Sequence, residues 1–414
     1  METSQTWIAN VAILNKLLAK ESWYNTFWAK FSGNVDISSD DNGNNVYRPS
    51  GNPIETLSDF VAQGRDNMLI PFLKDLTGAP VYGDTVLKGT GEDQTMQWLR
   101  SYVNQYRKAV MKRSGQMSEQ RQKLYKLYDE ARPQLARWFT KWENQAVFQA
   151  FYEGVSPNIS SATTSDGLGM VKRYHPNWWY LSAADTLTAV GTNGNLKSAG
   201  ELDTAAAAAD NPWKLSAATL QELRIKCMTQ KIPQMSTKGG YPYWCMVIHP
   251  KQLKDLQQDS VYYGAQREAY SGKTLAMPEF SGAAGVYAGF MLYEDIVGVR
   301  AWDDASGAKN LFGATMATRF DPTAGDNYNA VVFGKSAMGK GIAKDLHFTS
   351  EIDDHANTIE VGGAVINGYN RNEYFAEGDA GEVSGDAFYK NLSSETVAAS
   401  LTAVNQSSLI LMTG

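Results

Sequence analysis

Several things are scarce in this 414-residue chain, and each scarcity excludes a class of protein. Only two cysteines occur, Cys227 and Cys245, with no Cys-x-x-Cys spacing, so a disulfide framework is excluded and a reducing compartment is expected. The four histidines, His175, His249, His347 and His355, are scattered, and no pair has the i, i+4 spacing of a helical metal site. No run reaches the ~18 consecutive apolar residues of a membrane-spanning helix. Met1-Glu2-Thr3 does not open a basic stretch followed by an apolar one, so no secretory signal is read and a soluble, cytoplasmic product is expected. Positive charge is not in excess: 38 basic against 44 acidic side chains leave a formal −6, which argues against nucleic-acid binding driven by net charge. Any contact with DNA would be local. No Gly-x-Ser-x-Gly element or Cys/His nucleophile pair is present, so neither an enzyme nor a cofactor is expected.

What is abundant is apolar and aromatic. At 43% hydrophobic residues the chain can build real cores, and its length suggests two or three packing units. Aromatics crowd the first 31 residues: Trp23, Tyr24, Phe27, Trp28 and Phe31 lie outside any obvious core segment. Trp7, Val11, Leu14 and Leu18 precede them at helical spacing, which predicts an amphipathic helix from Gln5 to Phe31. Its polar positions do not form the basic face that anionic membranes attract. An arm that clasps another subunit is the better reading, with Trp23, Tyr24, Phe27 and Trp28 as anchors. Turn-forming residues from Ser32 to Asn52 separate this arm, residues 1–55, from the rest of the chain.

Two strand-like runs, Met68–Leu73 and Thr95–Val103, flank a tip containing Gly78, Pro80, Gly83, Gly89 and Gly91, the pattern of a long hairpin. A two-stranded hairpin is marginal in water, so this one must lie against its own fold or a neighbour. From Ser118 the positions Leu124, Tyr128, Ala131, Leu135, Trp138 and Trp142 keep a 3.6-residue period to Tyr152, predicting a helix about 50 Å long with a kink at Pro133. An alanine run, Ala205–Ala209, predicts local helix. Beyond it an α+β pattern is expected: a helix at Ala217–Thr229, a strand at Tyr243–Ile248, a turn at His249-Pro250 and a helix at Lys251–Gln257. Further strands are expected at Phe290–Tyr293, Ala314–Phe320, Ala330–Phe333, Leu346–Ile352 and Thr358–Gly368. Residues 377–414 read as a polar, acidic tail with a last apolar run, Ser408–Met412.

The order of these pieces carries a resemblance. The tip sequence Leu76–Asp93, with Gly83-Asp84 and Gly89 followed by Glu92-Asp93, precedes a helix start Met117-Ser118-x-Gln120-Arg121. A strand end Val247-Ile248-His249-Pro250 and a closing stretch with Glu351, Asp353, Asp354, Gly362, Ile366 and Gly368 come next, in that order. Over residues 55–375 the chain resembles the major capsid proteins of tailed double-stranded DNA bacteriophages. The resemblance implies an α+β, Hong Kong phage-type coat fold: arm 1–55, extended hairpin loop 56–116, a peripheral domain on a long spine helix (117–212 with 346–376), an axial domain 213–345 and a tail 377–414. It implies hexamers and pentamers of this chain, closed into a shell around packaged double-stranded DNA, with portal, scaffolding and decoration proteins as further partners. A cellular compartment shell of the same fold is the rival within that class. Lys88, Glu92, Asp93, Arg107, Arg113 and Arg121 join the arm aromatics as candidate contacts between subunits. Some relatives join a loop lysine to an asparagine of another subunit. Lys88 offers such a lysine, but no partner is identifiable and noncovalent assembly is expected.

Two further features bear on function. From Arg100 to Lys141 there are 11 basic and 3 acidic residues, +8, whereas Glu351–Gly414 holds 2 basic and 10 acidic, −8. Apart from solvated faces, that asymmetry suits surfaces that meet across subunits. Gly334 to Gly341 matches the phosphate-cradling Gly-x-x-x-x-Gly-Lys, yet Gly341 stands where a Ser or Thr hydroxyl would hold Mg²⁺. A glycine-rich turn between strands is the expectation, with a nucleotide-dependent enzyme as the rival function. Ser271-Gly272-Lys273-Thr274 fails as well, since Arg267 occupies the first glycine position.

Overall fold

The computed structural model describes residues 26–39, 45–48, 50–57, 67–73, 80–84, 87–89, 91, 96–112, 131–153, 155–156, 178–183, 186–189, 214–236, 240–271, 285–296, 328–353, 358–372, 374–375, 403–404 and 407–413. In chain order a 3-10 turn at Phe27–Phe31 leads to β1 (Ser32–Asn34), β2 (Asp36–Ser39), β3 (Asn45–Arg48) and β4 (Ile54–Leu57). Next come β5 (Asn67–Leu73), β6 (Met96–Tyr102), β7 (Asn104–Lys112) and α1 (Ala131–Glu153). The middle of the chain supplies β8 (Val155–Ser156), β9 (Trp178–Ala183), β10 (Thr186–Ala189), α2 (Ala217–Thr229), β11 (Met235–Ser236), β12 (Pro242–Ile248), α3 (Pro250–Gln258) and α4 (Ser260–Ser271). The last third is strand: β13 (Gly285–Tyr287), β14 (Phe290–Glu294), β15 (Tyr328–Phe333), β16 (Met338–Asp353), β17 (Thr358–Arg371), β18 (Tyr374–Phe375), β19 (Ala403–Val404) and β20 (Ser408–Thr413).

An eight-stranded mixed sheet has the order β10-β9-β20-β15-β12-β14-β13, with β11 paired to β12. Its central strands are continuous apolar runs because both faces are covered. Alternate side chains feed two different cores. Cys245, Val247, Met291, Tyr293, Val331, Phe333 and Ile410 face one core, together with the 3-10 turn and the second half of α1. Trp244, Met246, Ile248, Phe290, Leu292, Ala330, Val332, Leu409 and Leu411 face the other, under α2 and α3. α2 begins at Ser216, whose Oγ accepts the Thr219 N–H at 3.1 Å. α3 begins at His249, whose Nδ1 accepts the Lys251 N–H while the Gln252 side chain accepts the His249 N–H. The expected strand end at His249-Pro250 is thus also a helix cap.

The six-stranded sheet has the order β1-β4-β16-β17-β7, with β8 paired to β17. Its centre is the antiparallel pair β16–β17, and β4 runs parallel to β16. α1 lies on this sheet through Leu135, Ala136 and Phe139 against Leu346, Phe348, Val361 and Val365. Gly363 lets the helix approach: a Cβ there would sit 2.7 Å from the Phe139 ring.

Three expectations change. The tail 377–414 ends in β20, which lies between β15 and β9 at the heart of the larger sheet. Gln252 Nε2 donates to Thr413 Oγ1 at 2.7 Å and pins its far end. β9 and β10, expected in the peripheral segment, join the same sheet through β20. β7, expected inside the hairpin loop, is an edge of the six-stranded sheet, paired with β17 from Asn104 to Lys112. In each case partner strands far away in sequence decide the membership. The predicted helix start at 118–130, on the far side of the expected Pro133 kink, lies outside the described residues, as do Ala205–Ala209 and Ala314–Phe320.

Candidate assembly surfaces

The phosphate-loop look-alike resolves first. Phe333 ends β15, Met338 opens β16, and Gly334–Ala337 between them make a turn. The amides that a phosphate would need are already bound within the chain: Gly334 N–H to Ser407 O at 2.9 Å, Lys335 N–H to Pro233 O at 3.1 Å and Ser336 N–H to Asn52 O at 2.9 Å. A Cβ at Gly334 would meet Pro233 O at 1.8 Å, so the glycine serves close backbone packing. Ser336 holds a positive φ of 49°, fixed by its Oγ donating to Glu55 Oε1 at 3.1 Å. The same carboxylate accepts Ser50 Oγ–H at 2.7 Å and Gly51 N–H at 3.0 Å. Lys340, the would-be phosphate lysine, is buried against α1, 4.0 Å from Glu143. This turn is a rivet that ties residues 50–55, Pro233 and Ser407 to the start of β16.

The arm aromatics divide. Trp28 is 0% exposed and lies among Phe148, Phe151 and Phe333 of its own chain, at ring-centroid distances of 4.9, 5.4 and 5.4 Å. That corrects the expectation for Trp28: no surface is left for a neighbour to grip. Sequence reasoning set it outside the core because its partners are more than a hundred residues away. Phe27 is half-buried beside it and borders Tyr293 at 6.2 Å. Lys30 covers both Phe27 and Tyr293, its Nζ 4.3 and 4.0 Å from the ring centroids, and burial holds its pKa below the usual lysine value. Trp23 and Tyr24 lie outside the described residues. What the structure provides is a buried root at Trp28 and Phe31.

β5 and β6 form a two-stranded ribbon with Asn67 opposite Tyr102 and Leu73 opposite Met96. Val103 is buried at its base, where β6 passes directly into β7. At the far end Tyr82 and Leu87 are 77% and 69% exposed, and Lys88 is exposed beside them. Arg107 is exposed on β7. Glu92, Asp93, Arg113 and Arg121 lie outside the described residues. On the other unit Ile225 and Met228 on α2, with Val261 and Tyr263 on α4, are exposed apolar side chains that sequence reasoning missed.

Among the described residues no group of three or more metal-ligating side chains occurs. Both cysteines are buried, and burial pushes each thiol far above its usual pKa, the opposite of an activated nucleophile. The exposed surfaces offer apolar and charged side chains on projecting elements.

The model of the family described as phage capsid protein matches residues 36–388. The chain belongs to the phage capsid protein family. Solved structures agree in fold. The capsid of Ralstonia phage GP4 is similar at 15% identity and a TM-score of 0.59, with 88% of both chains covered. The capsid of Helicobacter pylori bacteriophage KHP30 is similar at 11% identity and a TM-score of 0.57, over 94% of this chain and 91% of that one. The Cyanophage Pam1 capsid is similar at 16% identity and a TM-score of 0.52, covering 88% and 89%. No curated protein matches the sequence. The capsid protein therefore has the Hong Kong phage-type α+β fold and the structural role of a major capsid subunit, a component of the virion built from many like copies.

Proposed function

We propose that this capsid protein assembles as hexamers and pentamers into a closed shell around the packaged double-stranded DNA of a tailed phage, in the cytoplasm of its host, and that it does so without catalysis or a cofactor. The observation that carries this reading is the β5–β6 ribbon, which ends in a tip exposing Tyr82, Leu87 and Lys88. A two-stranded ribbon is marginal alone, and a neighbouring subunit supplies the surface that covers it. Within the subunit, the six-stranded sheet with α1 acts as the peripheral unit and the eight-stranded sheet as the axial one.

In this reading Trp23, Tyr24 and Phe27 leave the buried root at Trp28 to reach a neighbour. Lys88, Glu92, Asp93, Arg107, Arg113 and Arg121 line the contacts made by the ribbon and by the basic stretch Arg100–Lys141. The acidic surface of Glu351–Gly414 faces that stretch across subunits, giving register more than affinity. Portal, scaffolding and decoration proteins are the other partners, and DNA is enclosed without sequence recognition. A subunit with several heterologous contacts must close by curvature; otherwise it makes sheets or tubes.

Sedimentation velocity with negative-stain microscopy on the purified chain tests this. Rings, tubes or closed shells are expected, loosening in high salt. A chain that stays monomeric with and without its scaffolding protein overturns it. Nuclease-protected DNA inside particles from infected cells separates a genome shell from a compartment that encloses enzymes.

A further inference from the structure

Where α1 crosses the six-stranded sheet, a lysine, a glutamate and an asparagine meet in the interior. Lys340 on β16, Glu143 on α1 and Asn367 on β17 keep 3%, 7% and 1% of their surface. Lys340 pairs with Tyr369 and Ile342 pairs with Asn367, so the lysine and the asparagine are diagonal neighbours on one face of an antiparallel pair. Such neighbours are within reach of a long side chain. One oxygen joins them: Glu143 Oε1 accepts from Asn367 Nδ2 at 3.2 Å and lies 4.0 Å from Lys340 Nζ. Three buried polar atoms here, Glu143 Oε2, Asn367 Oδ1 and Tyr106 Oη, find no hydrogen-bond partner among the described residues. Leaving such atoms bare is costly, so the arrangement calls for an explanation beyond packing.

We propose that Lys340 and Asn367 become joined by an isopeptide bond within one chain, with Glu143 as the proton carrier. The Lys340 ammonium first gives a proton to Glu143, leaving a neutral amine and a carboxylic acid. The amine nitrogen attacks Asn367 Cγ and forms the new C–N bond. The attacking nitrogen passes its second proton to Glu143 as Nδ2 gains the proton Glu143 held, the C–Nδ2 bond breaks, ammonia leaves, and Glu143 ends protonated. No oxidant, reductant or other reactant is consumed.

The surroundings suit each partner. Burial lowers the Lys340 pKa to about 8, against the opposing pull of the Glu143 and Asp345 carboxylates, so a neutral amine is accessible near neutral pH. Burial also raises the Glu143 pKa, against Lys340 and the Asn367 hydrogen bond, so the carboxyl can hold a proton. Nδ2, the nitrogen that must be protonated to leave, is the atom already touching Glu143. The Tyr369 ring lies 5.4 Å from Lys340 Nζ and helps seal the site. The bond would tie β16 to β17 beneath α1. It lies within a subunit, does not involve Lys88, and is independent of how subunits assemble.

The test is the intact mass of the full-length chain, denatured after purification, both as free subunit and from aged particles. The expected mass is lower than the sequence mass by one ammonia, with digestion yielding a branched peptide that links β16 to β17. Lys340→Arg and Glu143→Gln should each restore the full mass. The full sequence mass in both free and assembled protein overturns the proposal. Ammonia loss without the branched peptide overturns it too, because Asn367 precedes Gly368 and can close a succinimide ring by itself. Should the variants not fold, the wild-type mass and peptide map still decide.

Discussion

The eight-stranded sheet and the β5–β6 ribbon are built from the same element, and they differ in where their second face goes. In the sheet, alternate residues of β12, β14, β15 and β20 fill two cores on opposite sides, so the strands are covered within the subunit. Among the described residues the ribbon's strands pair only with each other, and between them Tyr82 and Leu87 are exposed. One region is closed by the chain's own ends: Trp28 near the start and Ser408–Thr413 at the finish. The other, in the proposed assembly, is covered by a second copy. If the proposed assembly holds, stability and assembly fall to different strands, and substitutions should separate them.

Removing residues 408–414 should have the largest effect. It withdraws a central strand from both cores and strips β15 and β9 of their partner, so soluble folded subunit should be lost, read by circular dichroism and by the sedimentation of what remains. A folded, shell-forming truncation would show that the sheet closes without its last strand. Trp28→Ala comes next, at about 3–5 kcal/mol, the usual cost of emptying a buried aromatic site. Urea unfolding should place that loss in the subunit itself. A loss of assembly with unchanged unfolding would return Trp28 to the role of an intersubunit anchor.

At the ribbon tip the signature should invert. Tyr82→Ser with Leu87→Ser should leave subunit stability within about 0.5 kcal/mol, as exposed positions do, while the yield of closed shells falls. Equal losses in both would mean that the tip folds back on its own subunit. The smallest effect is the most local. Cys227 sits in the core under α2 and Cys245 in the core that holds Trp28, and burial raises both thiol pKa values. Because thiolate is the reactive form, neither should label at pH 8 in the folded subunit, and both should label in denaturant. In Trp28→Ala, Cys245 should become reactive before Cys227.

Much of the large sheet is legible in the residues alone. Helix Ala217–Thr229 appears with the predicted bounds, and the strands Tyr243–Ile248, Phe290–Tyr293 and Ala330–Phe333 appear within a residue or two. These are continuous apolar runs or capped periodic segments, signals that survive in any context. The Ser408–Met412 run carries the same signal, but the acidic stretch before it suggests a tail. The Lys340–Glu143–Asn367 cluster is not legible at all. Its members are 27 to 224 residues apart, and Lys340 alone resembles the end of a phosphate loop.

Local grammar can be read along the chain: which segments are helix or strand, and where His249-Pro250 turns one into the other. The order of the motifs likewise points to a phage capsid protein before any contact is known. Folding in three dimensions settles the rest: that Trp28 belongs to its own core, that the last strand is central, and that a lysine, a glutamate and an asparagine share one buried site. The physical reason is the same for all three. Hydrophobic burial and charge pairing depend on distance in space, and an antiparallel pair or a helix laid across a sheet brings together residues whose separation along the chain carries no record of the contact.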